Sequence, residues 1–139
     1  MQLSVQQAQE RFAEARVLRL ATADAEGHPH LVAATFAVGG DTVVIAVDHK
    51  PKRSKNLKRL RNIRENPAVT LLVDHYEDQW DRLWWVRADG EATIEAAADC
   101  PELVQMLLYK YPQYAEVPPS GEVIKISVSR WSGWSAADS

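Results

Sequence analysis

Eight of the 16 lysines and arginines of this chain fall between Lys50 and Arg64, as Lys50, Lys52, Arg53, Lys55, Lys58, Arg59, Arg61 and Arg64, and no Asp or Glu interrupts them. Leu57, Leu60 and Ile63 recur every three positions through the same stretch and Asn66-Pro67 follows, so Ser54 to Asn66 reads as a short amphipathic helix. On one helix Lys55 faces Lys58 and Arg59, and Lys58 faces Arg61; each such pair repels by about 0.2–0.5 kcal/mol. A bound anion relieves that repulsion. The densest charge, Lys52-Arg53-Ser54-Lys55-Asn56, falls where the helix would begin, and free backbone N–H groups and the positive end of the helix dipole point to the same place. A phosphate held by Arg53, Ser54, Lys55 and the backbone gains charge-assisted hydrogen bonds of about 1.5–3 kcal/mol each. Two other readings of the run stay open. One is a solvated basic helix face, with Arg64 answering the dipole at the C-terminal end. The other is a nucleic-acid contact, although no aromatic residue lies between Lys50 and Pro67 for a base to stack on.

The remaining chemistry-bearing residues are scattered. His28, His30, His49 and His75 lack the close spacing of a zinc site and the lone Cys100 completes none, so no metal is expected. His49 stands beside the basic segment, within reach of a cofactor or substrate, although a loop histidine needs no such role. Neither a serine–histidine–acid set nor a G-x-G-x-x-G or G-x-x-x-x-G-K-[ST] loop can be argued, which sets aside a hydrolase and the common nucleotide loops. Trp84 and Trp85 are consecutive in a strand-like segment and must point to opposite faces. One fills the interior; the other needs a cover, from a partner subunit, a cofactor ring or a helix of the same chain. Trp80, Trp131 and Trp134 raise the same question.

Several elements must position these residues. Ser4-Val5-Gln6-Gln7 has the form of a capping box, predicting a helix over about Val5 to Ala15. Val17 to Ala23 and His30 to Val38 read as strands joined by the turn Asp24 to Pro29. Gly39-Gly40-Asp41 then turns the chain into a third strand over Thr42 to Val47. Ala68 to Tyr76 returns to β character, Leu83 to Ile94 follows with a bulge or bend at Asp89-Gly90, and Ala97 to Lys110 reads as helix. In the last strand, Val123 to Trp131, Ile124, Ile126 and Val128 alternate with Lys125, Ser127 and Ser129. These six strands with interspersed helices predict a mainly β, α+β fold: one antiparallel barrel with peripheral helices over residues 1–139.

Bulk properties fit one such domain. The chain has 139 residues, 46% hydrophobic and 25% charged, with a formal net charge of −3, which disfavours a surface built wholly for nucleic acid. With Cys100 alone no intrachain disulfide can form, and a cytoplasmic location is expected. Met1 to Phe12 is polar and no stretch approaches the roughly 18 apolar residues of a membrane span, so neither signal peptide nor anchor is expected.

The strand Leu18-Arg19-Leu20-Ala21-Thr22-Ala23, the turn Gly27-His28-Pro29-His30, and Lys52-Arg53-Ser54-Lys55-Asn56-Leu57 followed by Glu65-Asn66-Pro67-Ala68-Val69 resemble the pyridoxamine 5′-phosphate oxidase-like superfamily, from Arg11 to Trp134. Within it the compact form is most similar to the coenzyme F420-dependent flavin/deazaflavin oxidoreductase branch. The resemblance implies a split β-barrel homodimer with two cofactor sites at the subunit interface. It implies that Lys52, Arg53, Ser54, Lys55 and Asn56 line the phosphate end. It also implies that His30 to Phe36 and Val47 to Lys50 border the ring through backbone hydrogen bonds, with Ala33, Ala34, Thr35, Val47 and Asp48 foremost and Lys50 beside them; of the two adjacent tryptophans, Trp84 is expected to face the cofactor. Lys58, Arg59 and Arg61 would attract the poly-glutamate tail of F420. The expected activity is hydride transfer between reduced F420 and a small conjugated substrate. FMN in the same site, or a non-catalytic flavin, deazaflavin or haem carrier, are the alternatives; no nucleic acid or membrane partner is expected. Vitamin B6 oxidases close with an Arg-Leu-rich segment where this chain has Trp131-Ser132-Gly133-Trp134, which argues against pyridoxine phosphate as substrate.

Overall fold

The structure, a computed structural model, describes residues 1–47 and 57–137. The expected capping box starts α1 (Val5–Glu14): Ser4 Oγ accepts from Gln7 N at 3.1 Å, and Ser4 N donates to Gln7 Oε1 at 2.9 Å. There follow β1 (Leu18–Ala23), β2 (Pro29–Ala34), β3 (Ala37–Gly39), β4 (Thr42–Ala46), α2 (Lys58–Glu65), β5 (Ala68–His75), β6 (Trp84–Ala96), α3 (Pro101–Lys110), α4 (Gln113–Glu116) and β7 (Glu122–Ser135).

All strands join one antiparallel sheet in the order β2-β1-β5-β6-β7-β4-β3. The two edges of that sheet, β2 and β3, are consecutive in the chain. Three peptide steps from Ala34 to Ala37 reach at most about 11 Å, whereas the edges of a flat seven-stranded sheet would stand roughly 29 Å apart. The sheet therefore has to curl until its edges nearly meet, which makes it a split barrel. The same break accounts for seven strands where six are expected: His30 to Val38 is interrupted at Thr35-Phe36, where the chain leaves one edge and joins the other.

The barrel interior is filled by Leu18, Leu20, Phe36, Val43, Ile45, Leu71, Val86, Ile124 and Ile126, and α1 closes it with Phe12. Phe12 meets Phe36 and Trp131 edge-on, with centroids 5.1 and 5.2 Å apart. A second core lies on the outside of β3, β4 and β7, where Ala37, Val44 and Val123 pack under Cys100, Leu103, Leu107 and Tyr111 around α3. Leu60 and Ile63 of α2 are buried as the spacing predicts, and buried Asn62 donates from Nδ2 to Thr22 Oγ1 at 3.1 Å.

Boundaries differ from expectation at four places. Leu57 is extended and serves as the N-cap of α2, its carbonyl accepting from Leu60 N and Arg61 N, so the helix starts at Lys58 rather than Ser54. Ala97–Asp99 is a separate 3-10 turn, and α3 starts at Pro101, whose missing N–H costs nothing in a first helical turn. The strand after the β5–β6 loop extends to Ala96. The last strand runs on to Ser135 past an interruption of its pleat: Asp89 pairs with Arg130 but Gly90 pairs with Val128, leaving Ser129 as an extra residue. Its hydroxyl donates to Asp89 O at 3.1 Å. Only glycine fits opposite, since a Cβ on Gly90 would lie 2.2 Å from Ser127 O. Gly40, with φ +60°, makes the predicted turn between β3 and β4. No helix among the described residues is long and apolar enough to cross a membrane.

Candidate functional site

The edge-to-edge crossing places several predicted site residues together. Among the described residues β2 pairs only with β1, so half of its backbone N–H and C=O groups face away from the sheet edge. Ala33 points outward and is exposed, while Ala34 points inward and packs against the barrel core. Thr35 and Tyr114 share a hydrogen bond between hydroxyls at 2.7 Å. The next residue is pinned as well: Phe36 N donates to the Tyr111 hydroxyl at 3.1 Å, and that hydroxyl donates to Arg16 O at 2.8 Å. Burial pushes the Tyr111 phenol above its ordinary value, which keeps the donor protonated.

Val47 is buried, and its N–H donates to Glu122 O at 3.2 Å. With Ala46 and Tyr114 it lines a cavity of about 110 Å³ bounded by Val117 to Gly121. Tyr114 thus bonds to Thr35 and lines the same cavity as Val47. Sequence reasoning missed Tyr111 and Tyr114; their only signal is the clustering of tyrosines around Pro112. Asp48, Lys50, Lys52, Arg53, Ser54, Lys55 and Asn56 lie outside the described residues, as does His49. Of the downstream cations, Lys58 and Arg61 are exposed on α2 and Arg59 is half-buried. Arg64 forms an ion pair with Glu122 at 3.1 Å.

Trp84 takes the inward side of β6 with Val86 and Ala88, packed against the barrel core. The Arg11 guanidinium of α1 stands 5.4 Å from its ring, and Arg11, Glu14 and Ala15 complete a cleft there. A helix of the same chain therefore covers Trp84, and no hydrogen bond or ring contact among the described residues joins it to Ala33, Thr35 or Val47. Trp85 is the outward residue, opposite Trp134 on β7, with the Arg87 guanidinium 6.0 Å from its ring. On this outer face Ala33, Arg19, Leu72 and Arg87 lie side by side across four strands. Leu31 is 67% exposed there, and Ala21, Ala23, Ala68, Thr70 and Asp89 border a cavity of about 560 Å³. Small side chains thus leave this part of the sheet uncovered.

The β1–β2 turn brings Asp24, Glu26 and His28 within 4.8 Å of one another, in an Asp-x-Glu-x-His pattern that sequence reasoning passed over. Asp24 is already engaged in shaping the turn. Its Oδ1 accepts from His28 N and Glu26 N at 2.9 Å each, and its Oδ2 lies 2.9 Å from His28 Nδ1. The hydrogen bond from the His28 backbone, aided by the His28 ring and Glu26 N–H, holds the carboxyl down at about 2.

A sheet that splits between its own consecutive edge strands, with a small-residue edge and a pinned hydroxyl at the split, defines the chain as a split-barrel protein. Residues 4–135 match the family described as pyridoxamine 5′-phosphate oxidase, and the chain belongs to that family. No curated protein matches it significantly in sequence. Among solved structures 101 chains match. A FAD-binding protein from Mesorhizobium loti superposes with a TM-score of 0.74 at 20% identity, covering 96% of this chain and 93% of that one. The FAD-binding protein of Mycobacterium smegmatis gives 0.69 at 18%, covering 96% of each. HutZ, the haem storage protein of Vibrio cholerae, gives 0.70 at 15%, covering 96% and 95%. At these identities the likeness concerns the fold.

Proposed function

We propose that this chain is a homodimeric oxidoreductase that binds a flavin-type cofactor along β2, with coenzyme F420 as that cofactor and FMN as the alternative. The observation that carries the reading is the open edge of β2, where small side chains leave the backbone accessible and the strand runs directly into Thr35. A planar ring with hydrogen-bonding edges fits such a strand, because alternate N–H and C=O groups lie in line with it. The names of the similar FAD-binding proteins agree with this choice.

When bound, F420 or FMN supplies hydride transfer, and the protein supplies orientation and electrostatics. Tyr114 holds the Thr35 hydroxyl in one orientation beside the ring edge, and Tyr111 fixes the backbone at Phe36, so the strand does not shift when the ring docks. Lys52, Arg53, Ser54, Lys55 and Asn56 take the phosphate end, and Val47, Asp48 and Lys50 border the ring. Lys58, Arg59 and Arg61 draw the longer anionic tail, which favours F420 over FMN. A second protomer covers the exposed small residues on the outside of β1, β2 and β5 and adds the far wall of the site, while Trp84, covered by α1, takes no part in it. The basic run serves a cofactor and not nucleic acid.

The likeness in fold to a haem storage protein favours one further reading, a carrier that binds haem without turnover. Titrating the purified protein with F420, FMN and haem while following fluorescence separates the readings. Saturable binding of F420 or FMN, weakened about tenfold or more in Lys55→Ala, supports the proposal. Binding of haem alone, or an unchanged dissociation constant in Lys55→Ala, contradicts it.

A further inference from the structure

A cavity bordered by two cations lies between the C-terminal ends of α1 and α3 and the edge strand β3. It measures about 590 Å³, within the range of small-molecule sites. Arg16 and Lys110 line it with Gln105 and Tyr109 at the rim and Met106 and Val38 as apolar walls. Each cation makes one bond to the other's helix end. Lys110 Nζ donates to Ala15 O at 2.6 Å, and Arg16 donates to Lys110 O at 3.2 Å. That exchange caps two helix C-termini, but it leaves most of the donors of both groups without a protein partner among the described residues.

Two cations side by side with no carboxylate between them repel, and here they are held together by packing. The Lys110 ammonium sits 3.7 Å above the centre of the Phe36 ring and is half-buried; the Arg16 guanidinium lies 4.7 Å from the Tyr111 ring. No ion pair involves either group among the described residues. The ionisable groups facing Lys110 are Arg16, just after α1, and Tyr111, just after α3, and no carboxylate is among them. Burial, and then the charge on Arg16, lower Lys110 to about 8. Opposite the charges, Met106 and Val38 offer apolar surface, and Tyr109, 91% exposed, offers a ring with nothing to cover it.

We propose that this cavity is a binding site for a small organic anion, a carboxylate or phosphate attached to an apolar or aromatic body, with Arg16 and Lys110 gripping the anionic head. The site adjoins the edge assigned to the cofactor, since Lys110 lies over the Phe36 ring, but it shares no lining residue with that assignment. Bound anion neutralises the cation pair and returns Lys110 toward its ordinary basicity. Binding therefore weakens as pH rises and the empty site loses the Lys110 proton.

Methionine-methyl NMR tests this directly, because the chain has two methionines and only Met106 lines the cavity. The probes are benzoate, phenyl phosphate and the neutral benzamide, added to the full-length protein. The proposal expects benzoate or phenyl phosphate to shift the Met106 signal saturably, with whichever is tighter naming the head group, and benzamide to bind at least about tenfold more weakly. Benzoate affinity falls several-fold between about pH 7 and about pH 9.5 in the wild type. That dependence is lost in Lys110→Met. Because Lys110 also caps α1, the exposed rim change Gln105→Glu gives a second test that leaves the packing intact, and it weakens benzoate binding through charge alone. Equal binding of benzoate and benzamide, no Met106 shift up to about 10 mM of either anion, or undiminished benzoate binding in Gln105→Glu overturns the proposal.

Discussion

Replacing Gly90 with alanine tests the register of the sheet. The added Cβ would lie 2.2 Å from Ser127 O, 2.9 Å from Ser127 C and 3.0 Å from Val128 Cα. All three are backbone atoms, so no side chain can swing aside. Ordinary contact begins at 3.4 Å, leaving a shortfall of roughly 1.2 Å at the carbonyl oxygen. Gly90 pairs with Val69 on one side and Val128 on the other, which denies β6 room to retreat. Relief has to come from opening the register shift. The bonds at risk are Val128 N to Asp41 O at 2.8 Å and Ser129 Oγ to Asp89 O at 3.1 Å, about 1 kcal/mol each. Adding the usual overpacking cost gives about 3–5 kcal/mol, or a fall in Tm of roughly 10–20 °C for a domain of this size. Thermal unfolding followed by circular dichroism, checked by urea denaturation, measures it. Gly27→Ala is the comparison: nothing lies within 4 Å of its Cβ, and only φ +84° opposes it, at about 1–2 kcal/mol. A loss below about 1 kcal/mol in Gly90→Ala would refute the reasoning.

Other substitutions probe separate parts of the account. Phe12→Ala removes a fully buried ring that meets Phe36 and Trp131; chemical denaturation should show a loss of about 3–5 kcal/mol. Tyr111→Phe leaves the buried Phe36 N–H without its acceptor and should cost about 1–3 kcal/mol in the same assay. Asp24, held at about 2 against an ordinary 3.8, has the sign of a depressed acid: its contribution is complete above the unfolded value and disappears as pH falls through the folded one. The stability difference between wild type and Asp24→Asn should therefore shrink between about pH 4 and about pH 2, and the carboxyl carbon of Asp24 should titrate in NMR with a midpoint near the lower end.

What the sequence made legible was local. The S-x-x-Q capping box, the glycine turn between β3 and β4, the register shift at Asp89-Gly90 and the buried pair Leu60 and Ile63, with Leu57 half-buried before them, depend on neighbours in the chain, and the structure bears them out. The break at Thr35-Phe36 depends on distant groups, the hydroxyls of Tyr114 and Tyr111, and no glycine or proline marks it. Hence two edge strands read as one. The last strand was cut short because the extra residue Ser129 reverses its parity: Ile124, Ile126 and Val128 face inward before it, and Trp131, Gly133 and Ser135 after it. Alternation that restarts out of phase looks like a strand end. Of the candidate site, Ala33, Ala34, Thr35 and Val47 could be named in advance through a family resemblance, whereas the two tyrosines bonded to Thr35 and Phe36 could not. Choosing between Trp84 and Trp85 required the inward parity of Val86 and Ala88, which is settled by the fold.

The most direct test is a crystal structure of the full chain soaked with F420. The account predicts ring density along the edge of β2 from His30 to Phe36, its phosphate against Lys52 to Asn56, and both in a cleft between two protomers. Phosphate density remote from Lys52 to Asn56, or those side chains directed into bulk solvent with the ring bound elsewhere, contradicts it.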